Sequence, residues 1–191
     1  MKKIIILASG LLFSGLIYAH PGHGENFMGA FMHPILGWDH LLTMLVIGMM
    51  VNSYTLKKGI LLPIVFVSGF TIAAVAGASF NFIYDATNWI NQATLMTLIL
   101  LSVINIFNKT ISFNFLIAIF GGIGLIHGLA HGLELPSNQP AIISGLILST
   151  VVIHSIGFLL CKFISKKFSQ FIRYFTLASG FIGAIALIQT V

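Results

Sequence analysis

An all-α integral membrane protein, a cleavable leader followed by a bundle of six transmembrane helices, is predicted by three observations. Of 191 residues, 58% are hydrophobic and only 7% are charged, with mean hydropathy +1.04. Soluble domains carry roughly 25% charged residues, so a soluble fold is excluded. The apolar residues fall into six runs near the length of about 20 residues that a helix needs to cross a bilayer. The few polar groups are clustered on particular helix faces instead of being scattered.

The first element is the leader. Met1-Lys2-Lys3 supplies a positive start, Ile4 to Tyr18 an apolar stretch shorter than a full span, and Ala19 a small residue suited to cleavage. The segment His20-Pro21-Gly22-His23-Gly24-Glu25-Asn26 that follows is polar and turn-rich, unlike a stop-transfer flank. Residues 1–19 are therefore expected to be removed, leaving 20–191 as one transmembrane domain that starts outside the cytoplasm.

The six spans are expected near 30–51, 60–80, 92–108, 112–132, 140–161 and 172–190. Lys57 and Lys58 follow the first, Lys109 the third, and Lys162, Lys166, Lys167 and Arg173 lie between the fifth and sixth. The opposite loops, 81–91 and 133–139, carry Asp85 and Glu134 without Lys or Arg. Positive loops stay cytoplasmic, which puts both mature termini on the outer side, in agreement with a cleaved leader. The pI near 9.6 thus reflects topology and requires no nucleic-acid partner.

Small residues recur every four positions in three spans: Gly69, Ala73 and Gly77; Gly124, Gly128 and Gly132; Gly180 and Ala184. Such stripes let helix backbones approach in lipid, and they predict helix contacts and no more.

Ionisable groups inside a membrane are expensive and mark function, so the seven histidines and four acids carry most of the information. Span one opens His33-Pro34-Ile35-Leu36-Gly37-Trp38-Asp39-His40, with 33, 37, 40 and 44 on one face of a continuous helix. Pro34 suits a first helical turn. At 1.5 Å per residue, His40 would lie about 10 Å deeper than His33, with Asp39 beside it. Span four ends His127-Gly128-Leu129-Ala130-His131-Gly132-Leu133-Glu134, placing 127, 131 and 134 on one face. Two imidazoles one turn apart can bind one ion. Both segments occupy the outer halves of their helices and are expected to meet, with His154 of span five joining them.

A single cysteine, Cys161, excludes a cysteine-rich centre, and His and carboxylate donors suit nickel, cobalt or zinc better than copper(I). No G-x-x-x-x-G-K-[ST] motif is present, so no ATP site is expected in this chain. The competing function is an intramembrane zinc hydrolase acting on a lipid, with Asp39 or Glu134 as base. Against its protease form, Gly128 stands where an H-E-x-x-H helix places its Glu.

The run His33-Pro34-x-x-Gly37-x-Asp39-His40-Leu41-Leu42-x-Met44-x-Val46-x-Gly48 closely resembles the first-helix signature of the HupE/UreJ family of nickel/cobalt permeases. His127-Gly128-x-Ala130-His131-Gly132-x-Glu134 resembles its second signature, and His154-x-x-Gly157 its fifth-helix pattern. The resemblance implies import of nickel or cobalt across the bacterial inner membrane, supplying metalloenzymes such as hydrogenase or urease. It implies His33, Asp39, His40, His127, His131 and Glu134 as the metal-handling set, with the ion as cargo and no permanently bound cofactor.

Overall fold

The computed structural model describes residues 26–79, 86–107, 110–135, 139–164 and 169–190. The expected leader, the His20 to Glu25 segment, Asp85, Lys109, Lys166 and Lys167 lie outside the described residues. All regular elements among the described residues are helical: α1 (Phe27–Leu36), α2 (Trp38–Met50), a 3-10 turn (Val51–Ser53), α3 (Leu56–Gly59), α4 (Leu61–Ser79), α5 (Ala86–Phe107), α6 (Phe113–Glu134), α7 (Pro140–Ile164) and α8 (Ser169–Thr190). Five runs are individually long and apolar enough to cross a bilayer: Leu56–Ser79, Trp89–Phe107, Phe113–Glu134, Pro140–Phe163 and Gln170–Thr190. A chain of this kind satisfies its backbone polar groups within each helix, as lipid demands.

The expected single helix over 30–51 is corrected. α1 and α2 meet at a bend of 79°, and only as a pair do they have the length of a sixth span. α1 begins earlier than expected, because the Asn26 side chain accepts a hydrogen bond of 2.8 Å from the Gly29 N–H. Pro34 is consequently well inside α1, where it lacks the N–H that Ala30 O would otherwise receive. Gly37 then leaves the helical region at φ −76°, ψ 103°, and α2 restarts at Trp38. The continuous face through 33, 37, 40 and 44 does not exist, and the depth of His40 cannot be counted from His33 at 1.5 Å per residue.

Glycine seams bring the helices together. Gly124, Gly128 and Gly132 of α6 lie on the backbone carbonyls of Phe66, Phe70 and Ala74 of α4, and a methyl group at any of the three would overlap its carbonyl oxygen. Gly48 of α2 rests on the backbone of His154, and Gly157 of α7 on that of Leu45. Gly145 of α7 takes the Phe27 carbonyl of α1, while Gly180 of α8 packs on Ser102 and Leu98 of α5. Lipid is as apolar as any helix surface, so close backbone packing replaces the hydrophobic drive between helices. Met44, Ile47, Met50, Phe66, Phe70, Leu116 and Phe120 fill the centre. His127 and His131 flank the α4–α6 seam, so these contacts also fix the site.

Candidate metal centre

Three residues of the site come from the last two turns of α6. The helix ends at Glu134 because Leu135, which precedes Pro136 in the sequence, is extended at φ −77°, ψ 138°. A proline disfavours helical backbone in the residue before it. Asp39 and His40 belong to the first turn of α2, where the amide dipoles of the helix start favour the Asp39 carboxylate. His33 comes from α1, on the other side of the Gly37 bend.

These groups form a file running inward. At the accessible end, His33 Nε2 is 2.9 Å from Glu134 Oε2. Donor atoms of His33, His131 and Glu134 all fall within 4.8 Å of one another. The His131 ring adjoins His33 at 4.8 Å and His40 at 4.2 Å between centroids. Deeper in, His40 Nδ1 and His127 Nδ1 are 3.1 Å apart, and Asp39 Oδ2 lies 3.8 Å from His40 Nε2. Glu134 and His127 are seven residues apart on α6, so the file covers about 10 Å of depth.

His131 is 1% exposed and neither of its ring nitrogens has a hydrogen-bond partner. Leaving a buried polar group unpaired costs about 1–3 kcal/mol, so this ring is poised for a ligand that accepts its lone pair. Together the file offers four imidazoles and two carboxylates, a donor set fitted to a borderline divalent ion. Phe70 and Phe66 wall it, with centroids 5.5 Å from His131 and 5.8 Å from His127.

His154 hydrogen-bonds to none of the other four. Its Nδ1 is 2.7 Å from the Thr150 carbonyl oxygen, to which it donates, and its Nε2 is buried without a partner. The ring adjoining both His154 and His127 is that of Phe66, 5.0 Å from His154. His154 also lines an apolar groove of about 360 Å³ whose rim residues Leu56, Ile60, Ile64 and Val151 are exposed on the surface of the bundle.

Two participants were invisible in the sequence. Thr97 Oγ1 of α5 is 2.9 Å from His127 Nε2, and Thr94 Oγ1 is 3.4 Å from Asp39 Oδ2. Threonines three apart in an apolar run look like ordinary helix residues bonding their own carbonyls, which both also do. Their approach to the site depends on how α5 packs.

Gly37 supports the site by its lack of a side chain. A Cβ there would sit 2.8 Å from His40 Cδ2. Gly37→Ala is expected to leave the helices assembled, since only an imidazole must move. Affinity for a divalent metal ion should nevertheless fall by about 10-fold or more, the scale set when a ligand's orientation is lost. Metal titration of the purified protein checks this, and wild-type affinity would show that the His40 pose is unimportant.

A family model described as HupE / UreJ protein matches residues 7–187. The chain is similar to "Protein HupE" of Rhizobium leguminosarum bv. viciae, at 27% identity over 159 residues, covering 82% of this chain and 81% of that protein. No solved structure matches the chain.

Proposed function

The chain belongs to the HupE/UreJ family, and on that footing we propose that it is a multi-pass permease importing nickel or cobalt ions across the bacterial inner membrane. The observation that carries the reading is the position of His131, buried and unpartnered, between the accessible His33–Glu134 pair and the interior His40–His127 pair. An ion collected at Glu134 and His33 exchanges ligands one at a time, passing to His131 and then to His40, His127 and Asp39. Stepwise exchange keeps the ion from losing all its ligands at once in a medium where a bare charge is prohibitive.

His154, which shares the Phe66 ring with His127, is the inner continuation. The inward direction follows from the loop charges, with Lys57, Lys58 and Lys162 on the cytoplasmic side. Cleavage after residue 19 would expose His20, His23 and Glu25 as a collecting segment outside. An inside-negative potential supplies roughly 2.3 kcal/mol per charge per 100 mV, hence about 4.6 kcal/mol for a divalent ion. That is worth about three decades of accumulation without ATP. The cargo then supplies nickel or cobalt enzymes, of which hydrogenase and urease are the expected clients.

The test is uptake of radiolabelled nickel and cobalt into cells lacking their own permeases, with each metal competing against the other. Accumulation above the empty vector, lost in His127→Ala, supports the permease and identifies the preferred ion. Absence of accumulation with the folded protein present in the membrane would overturn it. The same histidines would then be assayed as an intramembrane hydrolase with bound zinc and lipid substrates.

A further inference from the structure

We infer that Thr97 is a positioning residue that decides which nitrogen of His127 faces the ion. The inference rests on the permease reading only for its consequence in transport, because the hydrogen bonding behind it concerns the metal-free chain. A threonine hydroxyl has one proton to give. Thr97 Oγ1 lies 2.6 Å from the Thr94 carbonyl oxygen, an atom that can only accept. The proton is therefore committed to that bond, since two oxygen lone pairs would otherwise face each other at 2.6 Å.

With its proton used, the hydroxyl meets His127 as an acceptor, and the 2.9 Å contact must be donated by His127 Nε2–H. A neutral imidazole protonated on Nε2 presents a bare lone pair at Nδ1. That nitrogen is the one directed at His40, 3.1 Å away. Two lone pairs at this distance would repel, so His40 Nδ1 donates to His127. The other nitrogen of His40, Nε2, lies on the side of Asp39 Oδ2. One hydroxyl from α5 thus sets which way the hydrogen bond between two histidines on two other helices runs.

Burial makes the arrangement hard to replace. Thr97 is 3% exposed and His127 is fully buried, so water has no access to take over the hydroxyl's role. Metal-binding histidines commonly hold their second N–H on such an acceptor, and losing it costs about 10–100-fold in metal affinity or activity.

The experiment compares T97V, which keeps the shape and removes the hydroxyl, with T97S, which keeps the hydroxyl. The first readout is ¹⁵N NMR of the full metal-free protein in lipid nanodiscs, with the His127 signals assigned by their loss in H127Q. His127 is expected to carry its proton on Nε2 in the wild type and in T97S, and to shift toward the Nδ1–H tautomer in T97V. A wild-type His127 protonated on Nδ1, or a T97V spectrum with the wild-type tautomer, would overturn the inference.

The second readout is the nickel or cobalt concentration giving half-maximal uptake. It should rise about 10–100-fold in T97V and return to the wild-type value in T97S, whereas an unchanged T97V value overturns the assignment. Should the wild type take up neither metal, the permease reading fails and the tautomer measurement still decides the role of Thr97.

Discussion

His131→Ala is expected to abolish metal accumulation, a loss larger than the 10–100-fold typical of residues that merely orient a ligand. The His131 imidazole touches both halves of the file, at 4.8 Å from His33 and 4.2 Å from His40, so its removal opens a gap along the path. Folding should survive the substitution, since both ring nitrogens are already without partners and no hydrogen bond is lost. His33→Ala or Glu134→Ala removes one ligand at the accessible end and is expected to cost less, about 10-fold, the lower part of that range.

The residues act in series, so His33→Ala combined with His131→Ala should be no worse than His131→Ala alone. Such non-additivity is what coupled neighbours show. Initial rates of nickel and cobalt uptake at matched membrane abundance measure all four variants. Substantial uptake by His131→Ala would remove it from the path.

Gly128→Ala is expected to destabilise the bundle by about 1–3 kcal/mol, and Gly128→Leu to prevent assembly, because overpacking here cannot be relieved by a rotamer. The added Cβ would meet the Phe70 carbonyl oxygen and Cα, so α4 and α6 must separate along the seam. His127 and His131 lie beside that seam and would move with it, joining a loss of stability to a loss of uptake. Gly122 on the same helix provides the control, since a Cβ there would meet nothing within 4 Å. Gly122→Ala should be neutral or gain about 0.5–1 kcal/mol from the lower backbone entropy of the unfolded chain. Thermal unfolding in detergent separates the two, and equal tolerance of both alanines would show that the seam is not the contact holding α4 to α6.

Much of the helix inventory was legible in the residue order. The runs expected at 60–80 and 112–132 emerge as Leu61–Ser79 and Phe113–Glu134, and that at 140–161 as Pro140–Ile164. The run expected at 92–108 emerges as the apolar part of α5, Trp89–Phe107, while the helix itself starts at Ala86. The bend within the first span is not legible in the residue order. Apolar spacing survives a bend, so Pro34 and Gly37 in the sequence were compatible with a helix starting at Pro34 as well as with one broken at Gly37. The break lets α1 pack on α7, where Gly145 receives the Phe27 carbonyl.

By itself the sequence determined the number and length of the apolar runs and the ordering of His127, His131 and Glu134 along one helix face. These are properties of neighbours within a turn or within one bilayer thickness, governed by helix geometry and by the cost of unpaired backbone in lipid. Only the tertiary structure decided that His131 is shared by His33 and His40, that His154 adjoins Phe66, and that the hydroxyl of Thr97 meets His127. The last contact joins residues 30 apart in the chain, and the His40–His127 and His33–Glu134 contacts join residues 87 and 101 apart. Local preferences carry no information over such separations. The distances are set by how closely glycine-lined backbones approach, and a single Cβ is enough to change them.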